Sequence, residues 1–275
     1  EVKITVPKSY VVLSTGNLQN KEEQQWMKER AANYNPQPVK ATAKKTTAKK
    51  PVKLPVTTEE TKTLLYTQTT VHDFAWFADK KFMLLHDTIQ LGNGRVIDAY
   101  AAFPAASKTL WKNSIRMIRD AVHFRSNTIG EYPYNTVAAV EAPMGFSGGM
   151  EYPCITAITK MPNERALESV IEHEVGHNWF YGILGSNERT HAWMDEGLNS
   201  FVEYLTEELW DNKFPSKKGP AYTIVPYMKL PKDQLEPIMT NSENIIHFGP
   251  NAYAKPATGL NILRETIMGR ELFDK

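Results

Sequence analysis

The chain has 275 residues, 41% of them hydrophobic and 23% charged, which suits one large or two medium folded domains of ordinary globular composition. A formal net charge of +1 provides no overall field toward nucleic acid or an anionic membrane, so neither is expected as a partner. The single cysteine, Cys154, excludes an internal disulfide, and no run of apolar residues is long enough for a transmembrane segment.

Val2, Ile4 and Val6 alternate as a strand does, and Tyr10 to Leu13 run into a Thr15-Gly16-Asn17 turn. The polar stretch 21–34 predicts a short helix. From Asn35 to Thr58 the composition changes: Pro36, Pro38, Pro51 and Pro55 stand among Lys, Thr and Ala. This segment, 35–58, reads as an extended or disordered loop, a solvated insertion rather than a polybasic interaction patch. Strand signals resume over Leu64 to Val71. The aromatic cluster Phe74, Trp76 and Phe77 then marks a junction near Asp79. The expected division is 1–78, the end of a β domain, and 79–275, an α+β domain.

In the second part Phe82 to Leu85 predicts a strand. Thr88 to Leu91 and Arg95 to Ile97 flank a Gly92-Asn93-Gly94 turn. Residues 105–127 have helical spacing, with Leu110, Ile115, Ile118 and Val122 on one face. Val137 to Val140 is a buried-strand run. Asn163 is a good N-cap for a helix carrying Leu167, Val170, Ile171, Val175 and Phe180. Further helices are expected over Asp195 to Leu209 and after Lys255, where Pro256 is tolerated in the first turn. Glu1 is not a start residue and Arg270 to Lys275 carry no stop signal, so the chain reads as part of a longer protein, truncated near the end of its second domain. Any signal peptide would then lie outside it.

The chemistry centres on His173-Glu174-Val175-Gly176-His177. On a helix, residues four apart share a face, so both imidazoles can reach one metal ion while Glu174 reaches a water beside it. Catalytic zinc commonly takes two His and one Glu and leaves its fourth position for water. Glu196, nineteen positions beyond His177 and within Trp193-Met194-Asp195-Glu196-Gly197, is the expected third ligand. One zinc ion is therefore expected, held by His173, His177 and Glu196. Ser200 and Glu203 fall on the same helical face as Glu196, and Glu203 is favoured as the acceptor that a metal-bound imidazole needs. Zinc acidifies bound water, and Glu174 would take that water's proton and hand it to the leaving nitrogen of an amide.

With these residues in hand, the chain resembles the zinc aminopeptidase family that includes alanyl aminopeptidase and leukotriene hydrolase. Trp193 to Gly197 matches the family's Trp-x-x-Glu-Gly context at the family's spacing, whereas the thermolysin group places its Glu one residue further on. Gly148-Gly149-Met150-Glu151-Tyr152 resembles the family's Gly-x-Met-Glu-Asn segment, an edge strand beside the cleft whose Glu binds the substrate's free α-amine. The resemblance implies that role for Glu151, with Gly148 and Gly149 letting the peptide approach closely, and Tyr152 departs from the usual Asn. Tyr253-Ala254-Lys255-Pro256 resembles the family's Tyr-x-Lys-Gly segment, which implies that Tyr253 donates to the developing oxyanion, with Pro256 in place of Gly. The fold implied is a thermolysin-like catalytic domain preceded by the end of an N-terminal β-sheet domain. A helical C-terminal domain of the same protein is implied beyond this chain, and an extracytoplasmic location is consistent with the family.

The function expected is removal of N-terminal residues from peptides with a free N-terminus. The rivals are a zinc endopeptidase on the same scaffold and a metal-binding non-catalytic module; epoxide hydrolysis, found in one family branch, has no motif here. His191 reads as a loop or supporting histidine. His72, His86, His123 and His247 read as structural or solvated, and Cys154 as a small buried residue.

Overall fold

The computed structural model describes residues 1–33, 59–210 and 221–275. The Pro/Lys/Thr-rich segment assigned to 35–58 lies wholly outside these residues.

The N-terminal part is built from short strands. β1 (Val2–Pro7) pairs antiparallel with β4 (Thr61–Thr67), which also takes the two-residue β3 (Asn17–Leu18). β2 (Val11–Ser14) pairs with β5 (Trp76–Asp79). Ile4, Val6, Val12, Leu64 and Tyr66 form the core between them. The predicted strand over Leu64–Val71 ends at Thr67, before Thr70 with its positive φ of 57°. Residues 21–34 supply the helix α1 (Lys21–Ala32), whose Met27 is buried.

The second part is organised on a five-stranded sheet ordered β6-β7-β8-β10-β9. The two strands expected over Phe82–Leu91 are one element, β6 (Met83–Gln90), in a hairpin with β7 (Val96–Phe103). β7, β8 (Thr136–Glu141) and β10 (Ile155–Ile158) run parallel, and the short β9 (Gly149–Met150) closes the edge antiparallel to β10. β8 over Val137–Val140 and β10 over Ile155–Ile158 are buried on both faces, as suits strands inside a parallel sheet. The helix expected over 105–127 is divided, with a short turn α2 (Lys108–Trp111) followed by α3 (Ser114–Thr128). α4 (Glu164–His177) begins at Asn163, whose Oδ1 accepts from the Ala166 amide at 2.9 Å.

Past His177 the chain keeps turning through a wider, π-type segment over Asn178–Ile183. A second such segment, Trp193–Gly197, leads into α5 (Leu198–Trp210). A third, Gly249–Ala254, leads into α7 (Lys255–Ile262), and an additional helix, α6 (Ala221–Met228), lies between them in sequence. A fourth, Leu263–Ile267, follows α7. Wide turns of this kind concentrate at functional sites, and the segments Trp193–Gly197 and Gly249–Ala254 carry Glu196 and Tyr253, two of the residues singled out from the sequence. Helical and strand elements are thus mixed rather than alternating throughout, an α+β fold. Among the described residues no helix is long and apolar enough to cross a membrane.

Candidate active site

α4 packs against the sheet through Leu167, Ile171 and Val175, three fully buried residues on one stripe. That orientation turns His173 and His177 to the opposite side, toward α5 and the segment Trp193–Gly197. The Nε2 atoms of the two histidines lie 3.1 Å apart. Glu196 Oε2 lies 3.1 Å from His173 Nε2 and 3.4 Å from His177 Nε2. The three donors form a near-equilateral triangle, and the side chains are largely or wholly out of solvent.

The triangle fits zinc. With zinc–nitrogen and zinc–oxygen bonds of about 2.0–2.2 Å, tetrahedral ligands stand about 3.3–3.5 Å apart. The chemistry of the donors agrees: two nitrogens and one carboxylate converge with no residue between them. Each imidazole is also held from behind. His173 Nδ1 lies 2.9 Å from Glu203 Oε2, as the helical spacing indicated, while His177 Nδ1 lies 2.5 Å from Asp195 Oδ1. Carboxylates behind both rings fix Nδ1 as the protonated nitrogen and leave Nε2 free for metal. Burial opposes charge on His173, but Glu196 and Glu203 overcome it and push the ring up to about 10. Burial likewise opposes ionisation of Glu196, yet His177 and His173 hold it well below the usual carboxylate range.

Glu174 projects from the same helix. It is 6% exposed, and its Oε2 has no hydrogen-bond partner among the described residues. Burial, partly offset by His173 and His177, pushes its carboxyl up to about 8. Its place is fixed by Gly149 on β9, where a Cβ would overlap the Glu174 carboxylate. Gly149 is therefore a point of close approach between the edge strand and Glu174. Gly148 stands one residue back, pinned to Thr159 by its amide and carbonyl, and does not border the cavity.

Glu151 follows β9 and is 8% exposed, with a carboxylate oxygen in one cluster with His177 and Asp195. Burial raises its pKa, and the nearby His177 opposes the rise. Tyr152 turns the other way, to Phe77 of β5 with ring centroids 6.4 Å apart, and so leaves the cleft side to Met150 and Glu151. Tyr253 comes from the third wide turn. Its hydroxyl donates to Glu196 Oε1 at 2.6 Å, and its ring stacks on His173 at 5.8 Å. Burial and then Glu196 raise the phenol far above its ordinary value. Pro256 accounts for part of this placement: it packs directly on Gly197, where any side chain would collide with the proline ring. α7 thereby approaches the Glu196 turn closely enough for Tyr253 to reach it.

A cavity of about 470 Å³ opens onto this cluster, bordered by Gly149, Met150, Glu151, Glu196, Phe248 and Tyr253 among others. His191 stands beside the Trp193–Gly197 segment as a half-buried loop residue, and Cys154 is buried, its amide donating to Asn178 Oδ1 at 3.1 Å. Two residues that sequence reasoning passed over belong to the site. Asp195 was hidden by its neighbour Glu196, although an acid beside a ligand in a turn is a signal that could have been used. Arg125 has no local signal except that it continues the buried stripe of Ile118, Ala121 and Val122 on α3. It is fully buried, and its Nη2 lies 3.0 Å from Glu172 Oε1 on α4.

The family model described as the peptidase family M1 domain matches residues 116–275, more than half of the chain. Leukotriene A-4 hydrolase of Xenopus laevis is 30% identical over 83 residues, 29% of this chain and 14% of that protein. Aminopeptidase B of Rattus norvegicus is 31% identical over 77 residues, 27% of this chain and 12% of that protein. An M1 zinc metallopeptidase structure from Deinococcus radiodurans superposes with a TM-score of 0.65 at 19% identity, over 99% of this chain and 53% of that one. The chain thus spans about half of that structure, and its matched stretches span a smaller share of the curated relatives. On the family match, the chain belongs to peptidase family M1, the zinc metallopeptidases.

Proposed function

We propose that the protein is a zinc-dependent aminopeptidase that binds one zinc ion and removes residues from the free N-terminus of peptides. The observation that carries this reading is the position of Glu151: a buried carboxylate facing the same cavity as the His173, His177 and Glu196 triangle. An ammonium paired with Glu151 makes a charge-assisted contact and sets the first peptide bond, rather than an internal one, against the hydrolytic residues.

Zinc held by His173, His177 and Glu196 would supply an acidified water and a polarised carbonyl. Glu174 takes the water's proton and returns it to the leaving nitrogen, a single carboxyl acting first as base and then as acid. Its unpartnered Oε2 is the atom free to do so. The Tyr253 hydroxyl, which donates to Glu196 Oε1, turns to the oxyanion as charge develops there. Glu203 and Asp195 keep the two imidazoles in the tautomer that presents Nε2. Gly149 admits the peptide backbone and Glu174 to the same narrow space; Gly148 is read as supporting that approach through its bonds to Thr159.

The same reading takes residues 1–78 as the end of an N-terminal β domain and 79–275 as the catalytic domain. The Deinococcus structure is matched over only 53% of its own length, and a further C-terminal domain of the whole protein rests on the family resemblance. An extracytoplasmic location rests on the family resemblance. The test is a pair of peptides differing only in N-acetylation: cleavage of the free-amine peptide alone supports the reading, and equal cleavage of both makes the protein an endopeptidase.

A further inference from the structure

Five carboxylates border the cavity over the cluster: Glu151, Glu188, Asp195, Glu196 and Glu243. Among the described residues, the only Lys or Arg on that border is Arg189. Three of the five acids are engaged. Asp195 lies 2.5 Å from His177, Glu196 takes both imidazoles and Tyr253, and Glu243 meets Arg189 in an exposed pair at 3.6 Å. Glu151 and Glu188 remain. Among the described residues no neighbouring side chain donates to, or forms an ion pair with, either carboxylate, although Glu151 is 8% exposed and borders the cavity.

Glu188 is half-buried on the loop between the wide turns Asn178–Ile183 and Trp193–Gly197. Burial first, then the charges of Asp195 and Glu151, push its carboxyl up to about 7, and Asp73 adds to the effect while His177 opposes it. Its negative charge is therefore held at a cost that an incoming cation would relieve. The remaining walls are of a different character: Phe146, Met150, Ala192 and Phe248 offer apolar surface in the same space. A long side chain with an apolar stem and a charged tip matches both surfaces at once.

We propose that this cavity selects peptides whose first residue is Lys or Arg, with Glu151 taking the α-ammonium and Glu188 the side-chain cation. The proposal rests on the aminopeptidase reading above and names its substrate class. A dicationic first residue compensates both free carboxylates. A neutral first residue leaves Glu188 uncompensated, and an acidic one adds like charge to a field that is already negative.

The experiment compares kcat/KM of the zinc-loaded protein for arginyl-, lysyl-, norleucyl- and glutamyl-aminocoumarin amides. Norleucine serves as the uncharged match to the lysine stem. The expected preference for the two basic substrates over norleucyl is about ten- to hundredfold, the range of a desolvated charge-assisted contact. In Glu188→Gln the basic-over-norleucyl ratio falls toward one, and in Glu188→Arg it inverts, with glutamyl gaining. A wild-type ratio near one, or a basic preference unchanged in Glu188→Gln and Glu188→Arg, overturns the proposal while leaving the aminopeptidase reading intact. Because the wild-type ratio alone can overturn it, a variant that fails to fold does not shield it. If none of the four substrates is cleaved, both readings fall.

Discussion

His177 Nδ1 lies 2.5 Å from Asp195 Oδ1, and Asp195 immediately precedes Glu196, whose Oε2 lies 3.4 Å from the other nitrogen of the same ring. One turn of chain therefore grips His177 from both sides. Adjacent residues in an ordinary helix point about 100° apart, and the wide turn over Trp193–Gly197 lets both carboxylates address one imidazole. Asp195→Asn keeps the shape but removes the charge that fixes the tautomer. Zinc affinity is expected to fall about 10- to 100-fold, measured by competition with a chromophoric chelator. Unchanged affinity would mean that Asp195 does not orient the ring.

Gly149→Ala places a methyl group where the Glu174 carboxylate stands. The histidines and Glu196 are untouched, so metal content should hold while kcat falls by about a hundredfold, the scale of a catalytic group displaced by about 1 Å. A fall in zinc content instead would show that the strand supports the metal cluster itself.

Arg125 and Glu172 tie α3 to α4 behind the histidines, both fully buried with Nη2 and Oε1 3.0 Å apart. Thr206 of α5 donates to the same Oε1 at 2.8 Å. Removing the arginine leaves a buried carboxylate without its charge partner, at a cost of about 3–5 kcal/mol. Arg125→Met should therefore shift the urea midpoint well below wild type, and Arg125→Met with Glu172→Met should recover much of the loss. A double variant no more stable than the single would show that Glu172 does not depend on Arg125.

How far the site could be read before its geometry was known follows from the range of each interaction. His173, Glu174 and His177 are set by helical spacing, and Glu203 by spacing from Glu196 on one helix face. These are local facts, visible in sequence. Glu151 and Tyr253 reach the cluster from an edge strand and from a distant turn, so their positions were legible only by resemblance. The ion pair of Arg125 with Glu172 depends on α3 crossing α4, and its only local trace is an arginine on an apolar stripe. The fold follows the same rule. The N-cap at Asn163 and the buried β8 run gave their elements correctly, whereas the break at Lys112–Asn113 and the merging of β6 are settled by packing against the sheet. The helix Ala221–Met228 escaped notice because Pro226 sits inside it.

The substrate preference should depend on pH in a definite direction. The Glu188 carboxyl is raised to about 7, chiefly by burial, with Asp195, Glu151 and Asp73 as the negative groups around it and His177 opposing them. Below that value it is neutral and offers a cation little; above it the carboxylate is charged. The arginyl-over-norleucyl ratio of kcat/KM should rise from about pH 6 to about pH 8, since the α-amine titrates in both substrates and cancels. A ratio that is flat or falls with pH would remove Glu188 from the recognition of the side chain.

The account stands most directly on the separation of metal binding from proton transfer between adjacent residues. Zinc content and turnover of Glu174→Gln, measured on the same preparation, test that separation. The prediction is one zinc per chain, as in wild type, with kcat lower by about a thousandfold or more. Wild-type turnover, or a preparation that no longer holds zinc, would contradict the assignment of Glu174 as the base beside a site built by His173, His177 and Glu196.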